Sequence, residues 1–263
     1  MIATIPSPSK GSFDLGPLEI RGYGVMIGLA VITAVWWAQR RWVAKGGLAD
    51  DISTVALWAV PAGLVGARCY HVVTDWQRFR GRWQDVPAVW EGGLGIPGGL
   101  LFGVLVGVAV ARRQGISVSE VLDAVIPTLP LAQAIGRLGN WFNQELFGRP
   151  TELFWGLRID PENRPSGYEL VEAFHPTFLY EGVWNLILAA LLARVDRREY
   201  LSSGRLIGLW VCCYGLGRLW VEALRIDEAS LLLNVRVNIW VSLAAILAGG
   251  AVVAGGRNYR ELV

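Results

Sequence analysis

The sequence predicts an all-α polytopic membrane protein with seven transmembrane helices. Three observations carry that expectation. Hydrophobic residues make up 53% of the 263, mean hydropathy is +0.41, and only 17% of residues are charged, against about 25% in a soluble globular chain. Gly (32) and Trp (13) are abundant, as befits membrane helices and their interfaces. Seven apolar segments recur, each near the roughly 20 residues that cross a bilayer core. The same composition excludes a disordered chain, a disulfide-built fold and a collagen-like fibre. A formal charge of +2 is too small for a nucleic-acid partner, and none is expected.

The expected spans are Gly22–Ala38, Thr54–Val73, Gly93–Ala111, Leu122–Gly136, His175–Ala193, Gly204–Leu219 and Val237–Ala254. The first ends in Trp36, Trp37 and Trp42 with Arg40 and Arg41, an aromatic belt and a basic anchor. The third ends in Arg112 and Arg113, the fifth in Arg194, Arg197 and Arg198, and the seventh meets Arg257 and Arg260. The fourth carries Pro127, Pro130 and Gln133. Proline removes a backbone donor, and such a break persists in lipid only where protein or water satisfies the freed groups. A broken helix lining a cavity is therefore expected, with a short re-entrant piece as the alternative. Before Tyr23 the chain is interrupted by Pro6, Pro8, Gly11, Gly16 and Pro17, and Lys10 is its only basic residue before Arg21. This is not a cleavable signal, so the first span is expected to be retained.

The basic clusters at the far ends of the odd-numbered spans place the C-terminus in the cytoplasm and the N-terminus outside. Two long connections then fall on the outer side. Residues 75–92 interleave Trp76, Trp83 and Trp90 with Arg78, Arg80 and Arg82, a pattern suited to the headgroup layer. Residues 138–174 are long enough to hold structure of their own.

Ionisable groups inside the spans carry the functional information, because lipid makes them costly unless they are paired or face a cavity. Arg68 lies within the second span, Arg137 ends the fourth, and Arg218 and Glu222 lie at the outer end of the sixth. Arg218, Glu222 and Arg225 share one helical face, so that Glu222 can pair with either arginine. Arg137 opens a polar stretch holding Asn140, Asn143, Gln144 and Glu145 and closing at Gly148. Arg137 and Arg218 suit a phosphate, with the amides as neutral donors, and such a cavity fits a phospholipid headgroup. A hydrogen-bonded helix end and turn would use the same residues, and an interfacial ion network would use the same charges. The two histidines, His71 and His175, are each a base or a structural hydrogen-bonder. Cys69, Cys212 and Cys213 sit in apolar segments as packing residues. No metal-ligand spacing and no hydrolase elbow occur, so no metal or cofactor is expected.

Several motifs, in order and spacing, resemble the prolipoprotein diacylglyceryl transferase family. Gly136-Arg137-x-Gly139-Asn140-x-x-Asn143-x-Glu145-x-x-Gly148 is similar to the family signature. Ile20-Arg21-Gly22-Tyr23-Gly24, Gly66-Ala67-Arg68, Trp90-Glu91-Gly92-Gly93-Leu94 with Gly98-Gly99-Leu100, His175-Pro176-Thr177-x-Leu179-Tyr180-Glu181, and Tyr214-Gly215-x-x-Arg218-x-x-x-Glu222-x-x-Arg225 match further family segments. Two positions depart from the pattern: Pro97 stands where many members have a histidine, and Gly22 where they have a tryptophan.

The resemblance implies a small periplasmic head, residues 138–174, between the fourth and fifth spans of a single membrane domain covering 1–263. It implies a bacterial inner-membrane enzyme that moves the diacylglyceryl group of phosphatidylglycerol to the lipobox cysteine thiol of a prolipoprotein, forming a thioether and releasing glycerol phosphate. Its partners would be phosphatidylglycerol, the signal peptide bearing the lipobox cysteine, and membrane lipids. A phospholipid transporter or a non-catalytic lipid-binding membrane protein is the alternative. In the expected site, Arg137 and Arg218 hold the phosphate and stabilise the leaving group. Tyr23, Asn140 and Asn143 position the headgroup, while Glu145 and Glu222 orient the arginines. His175, Tyr23 or a carboxylate takes the thiol proton. Arg68, Gly98, Gly99, Gly148 and Arg225 complete the substrate-binding set.

Overall fold

The computed structural model describes residues 4–16, 18–89, 92–227 and 229–255. Trp90, Glu91, Arg257 and Arg260, named above, lie outside them, as does Pro17. A hairpin of β1 (Ser12–Leu15) and β2 (Leu18–Arg21) leads into α1 (Gly22–Ala44), α2 (Ala49–Thr74), the short α3 (Trp76–Phe79), α4 (Ile96–Arg113), α5 (Val118–Val125) and α6 (Thr128–Asn143). Then follow β3 (Leu157–Arg158), β4 (Ala173–Phe174), α7 (Thr177–Arg197), α8 (Leu206–Leu224), β5 (Leu231–Leu232), β6 (Val235–Arg236) and α9 (Val237–Ala254). With α5 and α6 taken as one stretch, seven helical segments among the described residues are long and apolar enough to cross a membrane. The protein is a multi-pass membrane protein. Its exposure pattern is inverted from that of a soluble protein: Leu57, Val104, Ile187 and Leu247 are exposed, while Arg68, Glu181, Asn185 and Glu222 are buried. Lipid accepts the former, and the polar interior holds the latter.

The break in the fourth span falls at Ile126 and Pro127, between α5 and α6. Thr128 turns its hydroxyl onto the Val125 carbonyl at 2.7 Å. Pro130 sits in the first turn of α6, where no intrahelical partner exists for its missing N–H. The prolines therefore restart a helix here instead of kinking one.

The chain forms two compact units, residues 37–124 and residues 1–36 with 125–263. Within the first, α2 packs on α4 through glycines. A Cβ on Gly98 would lie 2.2 Å from the Gly66 carbonyl oxygen, and one on Gly66 would lie 2.5 Å from that of Gly98. Backbones approach this closely only where both side chains are absent. Within the second unit, α6 packs on α7, α7 on α8, and α8 on α9. Gly208 and Gly249 make the same kind of close crossing between α8 and α9.

The connection between α6 and α7 has its own small core of Phe147, Leu157, Ile159, Phe174 and Phe178, with Tyr168 and Val171 packed against it. β3 pairs with β4 in antiparallel register, Leu157 opposite Phe174. The N-terminal segment joins this core: Ile5 donates to the Gly156 carbonyl at 2.7 Å and accepts from the Arg158 N–H at 2.9 Å. The turn after α6 is fixed by Gln144, a left-handed C-cap at φ 50 and ψ 47. Its side chain donates to the Pro8 carbonyl and to Asp160 and accepts from the Asp160 N–H. Ala cannot supply those three bonds, so this amide fixes where the chain leaves the membrane helix.

Candidate active site

Three helices of the second unit place charges at one level. Arg137 lies on α6, Glu181 on α7 and Arg218 on α8. Glu181 joins the two arginines: one carboxylate oxygen pairs with Arg137, the other with Arg218 at 3.3 Å. Arg218 also pairs with Glu222 one turn on, at 2.7 Å. Glu222 is fully buried and accepts from Arg236 at 2.5 Å and from Asn238 at 3.3 Å. Arg236 continues to the Asp227 side chain and carbonyl, and Asp227 is held bidentately by Arg225 at 2.6 and 2.7 Å. The result is an alternating chain, Arg137–Glu181–Arg218–Glu222–Arg236–Asp227–Arg225. It carries one more positive than negative charge. Buried charges persist only in such paired arrangements.

The amide stretch completes the Arg137 end. Asn140 lies between Arg137 (3.4 Å from its oxygen) and Glu145 (2.8 Å from its nitrogen), and Asn143 also donates to Glu145 at 3.1 Å. Glu145 thus acts on Arg137 through Asn140. The glycines of the signature have definite tasks here. A Cβ on Gly139 would strike the Tyr23 ring at 2.5 Å, so Tyr23 of α1 packs directly against the backbone of α6. A Cβ on Gly22 would strike the Phe142 ring at 2.7 Å. This accounts for glycine beside Tyr23. Gly148 is enclosed by His175, Thr177 and the Leu224 carbonyl, each 3.0 Å from a Cβ built there, and it bridges to Arg225.

Other expected site residues are placed elsewhere. Arg225 lies beyond the end of α8 in extended backbone (φ −72, ψ 145) and pairs with Asp227, not with Glu222. There burial pushes the Asp227 carboxyl up, but the Arg225 hydrogen bonds and charge outweigh it and hold the group below its usual range. His175 shares a hydrogen bond through Nδ1 with the Tyr180 hydroxyl at 3.0 Å, and that hydroxyl accepts from Trp155 at 2.9 Å. Burial first, and then the Arg149 charge, hold His175 below the usual imidazole value. Arg68, Gly98 and Gly99 belong to the other unit. Arg68 donates to the carbonyls of Val86, Gly92, Gly93 and Asp85 at 2.6 to 3.1 Å, using all three guanidinium nitrogens. It braces the connection after α2. Gly98 and Gly99 form the α2–α4 contact.

Three members of the charge chain fall outside the site expected from the sequence: Glu181, Asp227 and Arg236. Glu181 had an available signal, being the one acid in the apolar part of the fifth span. Asp227 and Arg236 had none, since a hairpin between two spans brings them together.

The geometry defines a class, a multi-pass membrane protein with two arginines on neighbouring helices joined by a buried carboxylate. The family model for prolipoprotein diacylglyceryl transferase matches residues 10–254. The chain is 46% identical over 250 residues to the phosphatidylglycerol–prolipoprotein diacylglyceryl transferase of Streptomyces griseus, covering 94% of this chain and 75% of that protein. It is 50% identical over 262 residues to a Streptomyces coelicolor protein of that name, the second of two so numbered, covering 98% and 83%. For the Frankia alni protein the identity is 49% over 257 residues, covering 97% and 67%. The chain belongs to the prolipoprotein diacylglyceryl transferase family.

Proposed function

We propose that Arg137 and Arg218 hold the phosphate of phosphatidylglycerol while its diacylglyceryl group leaves. The activity of the chain is that of its family: transfer of the diacylglyceryl group from phosphatidylglycerol to the lipobox cysteine thiol of prolipoproteins. The observation that carries the site is Glu181, whose two carboxylate oxygens reach one arginine each. Two guanidinium groups within reach of one carboxylate are within reach of one phosphate, and bidentate contact favours Arg over Lys.

In the step itself the thiolate is the nucleophile. Its sulfur forms a bond to the glycerol carbon bearing the phosphate ester. The carbon–oxygen bond breaks, and its electron pair leaves on glycerol phosphate. The extra charge on that phosphate is what Arg137 and Arg218 stabilise. Glu222 and Glu181 hold the arginines, Asn140 with Glu145 sets the Arg137 fork, and Tyr23 and Asn143 bound the headgroup. The thiol proton goes to His175, whose imidazole is neutral at pH 7 and free to accept it at Nε2 or, on release of the Tyr180 hydroxyl, at Nδ1, or to a carboxylate. The N-terminus and the periplasmic head, residues 138–174, lie outside a bacterial inner membrane, with the C-terminus in the cytoplasm. The basic flanks of the odd-numbered spans support this orientation, and alkaline phosphatase fused after Gly167 and after Arg198 tests it.

The decisive experiment for the reaction supplies purified protein in detergent with phosphatidylglycerol and a lipobox peptide. A diacylglyceryl mass gain on the cysteine, absent from a Cys→Ser peptide, is the expected result. Folded protein that binds the lipid and transfers nothing would overturn it in favour of a lipid carrier.

A further inference from the structure

One turn deeper in the membrane than the charge chain there is a second, neutral polar layer. Asn185 follows Glu181 by four residues on α7, Tyr214 precedes Arg218 by four on α8, and Gln133 precedes Arg137 by four on α6. Four residues are about one helical turn, so each stands below its charged neighbour on the same face. Asn185 is only 3% exposed, and its Oδ1 has no hydrogen-bond partner among the described residues. The buried Oε1 of Gln133 has none either. A carbonyl oxygen buried there without a donor has lost its water hydrogen bonds and gained nothing in return.

Asn185 opens into a cavity of about 10 Å³, close to the space one water-sized group needs. Glu181, Arg218 and Tyr214 line it with Asn185. Trp184 forms a rigid wall. Its ring lies so close to α8 that a Cβ on Gly217 would be 2.2 Å from Nε1, and Nε1 is tied to the Cys213 carbonyl at 3.1 Å. The cavity therefore cannot widen by turning that ring, and it admits one small donor next to the phosphate-binding arginines.

We propose that this cavity is a subsite for the terminal hydroxyl of the headgroup glycerol, with Asn185 as its acceptor and as a determinant of donor-lipid specificity. The inference rests on the reading of Arg137 and Arg218 as the phosphate site. The chemistry of the lining selects the ligand. An amide oxygen needs a donor; the Glu181 carboxylate is already shared between Arg137 and Arg218 and the Arg218 guanidinium disfavours an ammonium, so a hydroxyl fits better than an ethanolamine head. The glycerol is tethered to the held phosphate, and its far end carries such a hydroxyl. A site that hydrogen-bonds a substrate hydroxyl discriminates against an analogue lacking it, because the buried acceptor is then left unmet.

The test compares phosphatidylglycerol with phosphatidylpropanol, which has the same phosphate and no headgroup hydroxyl, using a lipobox peptide and wild-type or Asn185→Leu enzyme in detergent. The readout is the ratio of kcat/KM for the two donors. Wild type should prefer phosphatidylglycerol by at least about tenfold, and Asn185→Leu should bring the ratio to within about threefold of one. Equal use of both donors by wild type, or an unchanged ratio in the variant, overturns the subsite and leaves the cavity a water site. Where Asn185→Leu does not fold, Asn185→Ala is measured in the same way, since it removes the acceptor with less bulk. Failure of the wild type to modify the peptide with any donor overturns instead the reading of the reaction, so the two failures are distinct.

Discussion

Arg68 and Arg218 are both arginines largely withdrawn from solvent within membrane-spanning helices, yet they are satisfied in different ways. Arg68 gives every guanidinium nitrogen to neutral backbone carbonyls of one connection. Arg218 gives its terminal nitrogens to two carboxylates on side chains. A guanidinium that spends four of its five N–H groups on the carbonyls of one connection closes that loop and keeps a single donor, too few for the paired contact a phosphate takes. One bonded to carboxylates can exchange a carboxylate for another oxyanion while its charge stays balanced by the rest of the network. The sequence treats both alike, as charges that must have a purpose. What separates a brace from a binding group is the partner, and partners come from elements distant in the chain.

The largest expected effect of this difference is on activity. Arg218→Lys and Arg137→Lys keep the charge and lose the fork. Each should lower kcat with phosphatidylglycerol and a lipobox peptide by roughly a hundred- to a thousandfold, the range for losing a stabilising donor at a developing anion. Lysine at wild-type rate in either position would show that a point charge suffices. Arg68→Met should act oppositely. It leaves the carbonyls of Val86, Gly92, Gly93 and Asp85 without their donor, at about 1–3 kcal/mol for each that stays buried. The expected result is a fall in Tm of many degrees, with the KM for phosphatidylglycerol of the remaining folded enzyme little changed. A raised KM at constant Tm would move Arg68 from brace to phosphate ligand.

His175 tests whether the network has a base beside it. Its pKa is lowered by burial and by Arg149, so the ring is neutral at pH 7 and takes a proton only as pH falls through that lowered value. If it accepts the thiol proton, the pH–rate profile has an acid limb below about 6.5, the ordinary imidazole value, and His175→Gln removes that limb and lowers kcat about 10²- to 10⁴-fold. If it serves only to hold Tyr180 and Trp155, the limb persists and the loss is in stability.

Much of this was legible in the sequence, and the limits have physical causes. The seven spans were readable because a bilayer demands long apolar helices. Their ends were less so: α1 carries Arg40 and Arg41 on its last turns and runs to Ala44, because arginine is a good helix former and its long stem reaches back to the interface. Arg137, Asn140, Asn143, Glu145, Arg218 and Glu222, which the structure joins in one network, stand out in the sequence as polar groups in an apolar context. The grouping of Arg225 was misjudged from helical spacing, since the helix ends at Leu224. Asp227 and Arg236 could not be found at all, because the β5–β6 hairpin that folds them onto Glu222 leaves no periodic signal. Asn185 and Gln133 resemble ordinary polar interruptions in a sequence and become informative only as unmet acceptors in a structure.

The smallest effect belongs to the outer end of the charge chain, and it shows where binding gives way to bracing. Asp227 lies outside the helices, part-exposed, between Arg225 and Arg236. Its carboxyl is held below the usual value, so the folded state releases the proton more readily than the unfolded chain. Its contribution to stability is therefore present above the unfolded pKa of about 3.9 and is lost as pH falls through the lower folded value. Asp227→Asn should lower Tm by a few degrees at pH 7, with a gap from wild type that narrows as the pH is brought below about 4. Its effect on kcat should be slight, because Glu222 still holds both Arg218 and Arg236. A loss of activity comparable to that of Arg218→Lys would extend the functional site along the whole chain of charges to Arg225. A Tm effect alone would mark Glu222 as the point where the network stops handling phosphate and starts holding the hairpin to the helix.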